Sequence, residues 1–145
     1  MNLSIRRLQP GDEKAASQVA AVFKAAVLCA TSAARFLANP ANYLIAAHDR
    51  SQLAGFVLAY RLDRLDHSAG QLFVYEIGVL PEFQRQEVGT RLMEFVRQLV
   101  ADNGLTEAFV FTEHANTAAR RLYERTGGRV ESDTSILFVY PGHAA

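Results

Sequence analysis

One cysteine in 145 residues excludes an internal disulfide, and it leaves no thiolate set from which a zinc site could be built. Tryptophan is absent and there are only four prolines, so neither an indole-rich surface nor a proline-rich linker organises the chain. Charge of one sign is also lacking. Fifteen basic residues balance fifteen acidic ones with no basic run, which removes the long-range field that nucleic-acid binding usually needs. The longest apolar stretches fall short of a membrane span, and Lys24 and Arg35 interrupt the alanine-rich region. The opening "MNLSIRRLQPGDE" lacks the apolar core of a signal peptide, so a cytoplasmic location is the simplest expectation.

What is present suits one domain over residues 1–145, with half the residues hydrophobic and enough chain to bury a core. "LSIRRL" alternates as a first strand. "QPGDEKAASQVAAVFKAAVL" reads as a helix with Asp12 as N-cap and with Val19, Val22, Phe23 and Ala26 at helical spacing. "SAARFLAN" is a second, short helix stopped by Pro40, and "NYLIAAHD" and "LAGFVLAYRL" are paired strands around "RSQ". "QLFVYEIGV" is nearly continuous in apolar residues and is expected at the centre of the sheet.

A helix follows over Val88 to Asn103, its apolar face made by Val88, Leu92, Phe95, Val96, Leu99 and Val100. "EAFVFT" is expected as a buried strand, "NTAARRLYER" as a helix capped by Asn116 and closed by Gly127 and Gly128, and "SILFVY" as a last strand. The alternation of strands and helices argues for a mixed sheet with helices packed on it.

The turn "QRQEVG" joins a strand directly to a helix. The first turn of a helix leaves N–H groups unpaired at the positive end of its dipole, where a pyrophosphate can be held without basic side chains. Gly89 removes the Cβ from the line of approach. The turn is neither a P-loop nor a three-glycine dinucleotide fingerprint. Further on, Asn116, Ala119 and Tyr123 recur at three and four residues and share one helical face.

Together, "YEIGVLPEFQRQEVGTRLM" and "NTAARRLYERTGG" resemble the GNAT superfamily of N-acetyltransferases, most strongly from Gln71 to Gly128. The resemblance implies an α/β GNAT fold, a mixed, mostly antiparallel sheet splayed at the acetyl-CoA site and flanked by about four helices. It implies acetyl-CoA as co-substrate and no metal. The pyrophosphate turn maps onto Gln84, Arg85, Gln86, Glu87, Val88 and Gly89, followed by Thr90, and the Asn-x-x-Ala-x-x-x-Tyr helix maps onto Asn116, Ala119 and Tyr123. Amides near Ile77 and Val79 are implied to contact the acetyl and pantetheine groups, with Gly78 marking a bulge that splays the strand. Two positions depart from the family pattern: Glu87 replaces the middle glycine, and Gly128 replaces a phenylalanine. An acid in the first helical turn is favourable to the helix dipole, and Arg85 and Arg91 are near enough in sequence to neutralise it.

Amine acetylation needs a base for the substrate ammonium and a proton for the departing thiolate. Tyr123, a phenol that is protonated at neutral pH, suits the second role. Glu76, a charge inside an apolar strand, is the first candidate base, with burial expected to raise its pKa. Glu113 is the second candidate. His48, His67 and His143 show no ligand spacing, His114 is a loop residue, and Cys29 is a small core residue.

Within the superfamily the resemblance is to the aminoglycoside 3-N-acetyltransferases. For a polycationic acceptor the candidate carboxylates are Asp63, Asp66, Glu76 and Glu113. The short apolar segment between the first helices suits instead an amine with a hydrophobic body, or a peptide N-terminus. An acetyltransferase of a peptide or protein amine and a CoA-binding sensor without turnover therefore stay open beside the small-molecule enzyme. So does a homodimer. Neither a nucleic-acid nor a membrane partner is expected.

Overall fold

The computed structural model describes residues 1–142 and divides them into two units, one over residues 1–111 and a second from Thr112 onward. His143 lies outside the described residues. The first unit is a five-stranded sheet in chain order, β1 (Leu3–Arg7), β2 (Asn42–Asp49), β3 (Gln52–Leu62), β4 (Gln71–Val79) and β5 (Ala108–Val110). The first three pairings are antiparallel and β4 runs parallel to β5. Three helices accompany it: α1 (Glu13–Lys24), α2 (Ala30–Ala38) and α3 (Val88–Asp102). The second unit carries α4 (Thr117–Arg125).

The two faces of the sheet are covered by different helices, as the period of two along a strand requires. On one face Leu44, Ala46 and Phe56 form a core with Ala16 and Val19 of α1 and Ala33 and Leu37 of α2. On the other, α3 lies so close to β3 that a Cβ on Gly55 would stand 3.2 Å from Leu92 and 2.8 Å from the Gly78 carbonyl oxygen. Val88, Leu92 and Val96 of α3 are fully buried, each contributing about 1.5–3 kcal/mol of apolar burial. Met93 is buried as well. Among the described residues no helix is long and apolar enough to cross a membrane.

Several expectations are corrected. Asp12 stands at the N-cap of α1 but makes no capping bond. Its carboxylate instead accepts from the Gln9 amide at 2.7 Å and the Arg6 guanidinium at 2.8 Å. These two donors hold its pKa below the usual carboxylate value, the arginine being the larger cause. Helix α1 ends at Lys24 with Ala25 left-handed, so Ala26 is outside it, and Val22 is exposed. Strand β4 is interior but next to last, and the sheet's middle strand is β3. The segment "EAFVFT" yields only the three half-buried residues of β5, and Phe111 is exposed. "SILFVY" carries no strand: Ile136 to Tyr140 are exposed without ladder partners among the described residues. Strand propensity expresses itself only against a neighbouring strand. Cys29 is exposed at the N-cap of α2, where its thiol donates to Ser32 Oγ at 3.2 Å, rather than lying in the core.

Candidate active site

Strand β4 leads into the site. Its pairing with β3 is regular from Val79 back to Glu76, which lies opposite Leu58, and then slips so that Val74 lies opposite Ala59. Tyr75 is thus the extra residue of a β-bulge, and the ladder to β5 ends one residue before it, at Val74. From Tyr75 to Val79 the other edge of β4 has no β5 partner. The expected opening is present, but Gly78 does not cause it. Gly78 pairs in register with Phe56, and a Cβ there would sit 2.7 Å from the Phe56 ring and 3.1 Å from that of Phe23. The glycine makes room for two aromatic rings whose centroids are 4.6 Å apart.

Beyond β4 a short 3-10 turn, Pro81–Phe83, leads into α3. Both Arg85 and Glu87 have left-handed backbones, with φ of 63° and 66°. A residue with a Cβ in that conformation costs about 1–2 kcal/mol, and alternating handedness turns successive N–H groups toward a common point. The family's glycine position, occupied here by Glu87, is thus one where the backbone itself favours glycine. The first helical bond of α3 is from the Arg91 amide to Glu87 O at 3.0 Å, so the amides of Val88, Gly89 and Thr90 have no partner within the helix. Unpaired amides at the positive end of a helix dipole can hold an anion.

The side chains of the turn brace it. Gln84 Nε2 donates to Val79 O at 3.3 Å and Gln86 Nε2 to Glu82 O at 3.0 Å. Glu87 lies just before the first turn of α3, not within it, and its side chain makes no capping bond. Arg91, expected as its neutralising partner, donates to the Leu3 carbonyl at 3.4 Å.

Glu76 is half-buried beside α1, and the environment is not the apolar one expected. Lys24 Nζ donates to both of its oxygens at 2.7 Å. That bond, before any other cause, raises the pKa of Lys24. In the sequence this lysine is only a break in an apolar run, and no local pattern links it to Glu76 across 52 residues. Asp63 and Asp66 are not brought to this carboxylate. They sit in the β3–β4 loop beside Arg61 (3.7 Å) and Arg64 (2.9 Å), and Asp63 is almost fully exposed. Leu62, where that loop begins, is four residues along β3 from Leu58, or roughly 13 Å at about 3.3 Å per residue.

In the second unit Asn116 Oδ1 accepts from the Ala119 amide at 3.1 Å, a side-chain cap of α4. Tyr123 is half-buried on α4, and burial raises its phenol pKa above the ordinary value. Gly128 donates to Tyr123 O at 2.8 Å, and a Cβ on Gly128 would stand 2.9 Å from that oxygen. Glu113 is exposed three residues beyond the end of β5, its carbonyl accepting from the Asn116 amide. His114 is contacted by Arg120 through its carbonyl, at 3.2 Å.

A mixed sheet parted beside β4, followed by an amide-lined helix start, places the chain among the α/β proteins with a split sheet. Residues 10–128 match the model of the acetyltransferase (GNAT) family, and the chain belongs to that family. A curated relative, mycothiol acetyltransferase of Clavibacter sepedonicus, is 33% identical over 91 residues, 63% of this chain but 28% of that protein's length. An aminoglycoside acetyltransferase from an uncultured soil metagenomic sample, solved in complex with sisomicin, superposes with a TM-score of 0.90 at 21% identity, over 98% of this chain and 97% of that one. The structure of AAC(6')-Iy with the bisubstrate analogue CoA-S-monomethyl-acetylneamine superposes with a TM-score of 0.76 at 18% identity, over 99% of this chain and all of that one.

Proposed function

We propose that the protein transfers the acetyl group of acetyl-CoA to a primary amine of a small molecule in the cytoplasm, as a single domain over residues 1–145. Bound acetyl-CoA supplies an activated thioester; the protein's residues hold it and manage two protons. The amides of Val88, Gly89 and Thr90, shaped by Gln84, Arg85, Gln86 and Glu87, hold the diphosphate. The open edge of β4 around Ile77 and Val79 offers amides to the acetyl and pantetheine groups, and the family pattern assigns Asn116 and Ala119 to cofactor binding. Glu76 takes a proton from the acceptor ammonium, freeing the nitrogen lone pair. The nitrogen then bonds to the thioester carbonyl carbon, Tyr123 gives its proton to the sulfur as the carbon–sulfur bond breaks, and the second proton lost by the nitrogen returns to the phenolate. Glu113 is the alternative base.

The observation that carries this reading is Glu76 with a primary ammonium 2.7 Å from both its oxygens, one residue from the bulge where β4 parts from β5. The carboxylate already holds the kind of group that the reaction deprotonates. Calorimetry with CoA and thiol release from acetyl-CoA across a panel of amines, aminoglycosides included, test it. CoA binding with amine-dependent thiol release is expected; CoA binding without release from any amine would refute the transferase reading. A CoA-binding module without turnover is the second reading, favoured by the charge of Glu87 and by Lys24 occupying the candidate base.

A further inference from the structure

A chain of six aromatic side chains runs across the first unit and passes beside Glu76. Phe36 meets Tyr60 (ring centroids 6.4 Å apart), Tyr60 meets Tyr75 (5.8 Å), and Tyr75 meets Phe73 (5.7 Å). Phe73 then stacks on Phe109 at 5.0 Å with planes within 4° and meets Phe111 edge-on at 5.9 Å. Such rings are normally core material, yet Tyr75 is 57% exposed and Phe111 72%. Exposed apolar surface that is contiguous marks a binding surface more often than scattered single residues do.

The bulge brings this belt to the candidate base. Opposite a regular strand, Tyr75 and Glu76 would point to opposite faces. With Tyr75 as the extra residue, Tyr75 packs on Tyr60 while Glu76 pairs with Lys24 of α1. Their Cα atoms are neighbours, about 3.8 Å apart, so a short carbon spacer links an ammonium on one to a ring on the other. The charge pattern points the same way. Glu76 takes a single ammonium, and Asp63 and Asp66 are held beside arginines in the β3–β4 loop. That suits a monocation with an apolar body and not a polycation.

We infer that the acceptor is a primary amine carrying an aromatic ring on a short aliphatic spacer, its ammonium replacing that of Lys24 on Glu76 and its ring lying on Tyr75 and the belt behind it. The inference rests on the acetyl-transfer reading of Glu76, but binding separates the two. Titrating the protein, in the presence of CoA, with 2-phenylethylamine, n-propylamine and an aminoglycoside should show the aryl amine binding at least about tenfold more tightly than propylamine. Tyr75→Ala, at a position 57% exposed, should remove most of that preference. Where turnover is seen, its effect should fall on KM of the aryl amine rather than on kcat. Aryl-amine binding without thiol release would sustain an aryl-amine site at Glu76 and Tyr75 and sink the transferase reading. Equal binding of the two simple amines, or tighter binding of the aminoglycoside, would overturn the inference alone. A dimer that dissociates with Tyr75→Ala or Phe111→Ala while amine binding is unchanged would also overturn it, because the belt would then join two copies.

Discussion

Replacing Glu87 separates two contributions that the sequence combines in one residue. Its backbone is left-handed at φ 66°, which costs a residue with a Cβ about 1–2 kcal/mol, whereas glycine forfeits about 0.5–1 kcal/mol of chain entropy. Glu87→Gly should therefore be neutral to stabilising by up to about 1.5 kcal/mol, the difference between those ranges. The carboxylate adds an electrostatic contribution when a diphosphate is bound. At about 4 Å the repulsion is roughly 1 kcal/mol in water and about 4 at an effective dielectric near 20. Glu87 is exposed, so the lower figure applies, about a fivefold change in Kd. Glu87→Gln keeps the Cβ and removes the charge, isolating that contribution. Calorimetry with CoA at low and high salt, alongside urea unfolding, reads both. Glu87→Gln should tighten CoA by about fivefold at low salt, with the gain shrinking as salt screens it. Unchanged CoA affinity in both variants would refute the placement of the diphosphate at the start of α3.

Other perturbations follow from the same geometry. Lys24→Met should leave stability nearly unchanged, because a partly exposed pair contributes little; it should lower the acceptor KM by up to about fivefold in steady-state assays, since Glu76 is then unoccupied. Gly78→Ala should destabilise by about 1–3 kcal/mol in urea unfolding, because its Cβ would meet the rings of Phe56 and Phe23. Tyr123→Phe should lower kcat in thiol-release assays and leave CoA affinity within about twofold. Burial raises the Tyr123 pKa above 10.0. The protonated phenol, and the stability it contributes, is therefore full below that pH and lost as pH rises through the folded-state value. The alkaline limb of the rate should lie above the ordinary tyrosine range and be absent in the phenylalanine variant.

Much of the scaffold was legible because it is local. The β2–β3 hairpin, the span of α3 and the Asn116 cap follow from alternation, helical spacing and a side chain that reaches its own helix. Glu76 was legible as an anomaly, a charge inside an apolar strand, but its partner was not. Lys24 reaches it through packing of α1 on the sheet, which no local pattern encodes. The bulge at Tyr75 was missed for a similar reason, since register is a property of two strands and the glycine nearby offered a simpler signal. Gly78 answers instead to the rings of Phe23 and Phe56. Ser135–Tyr140 is rich in strand-favouring residues, yet composition supplies only the preference and a ladder must supply the partner. Glu87 was visible as a departure from the family pattern, and only the backbone reveals that its position is left-handed.

The central claim is that Glu76 deprotonates the acceptor amine for acetyl transfer at the opening of β4. Its most direct test is Glu76→Gln, read as thiol release from acetyl-CoA beside CoA binding by calorimetry. A fall in kcat/KM of about 10²–10⁴, with CoA affinity unchanged, is the predicted result; turnover within about threefold of the unaltered protein would contradict it.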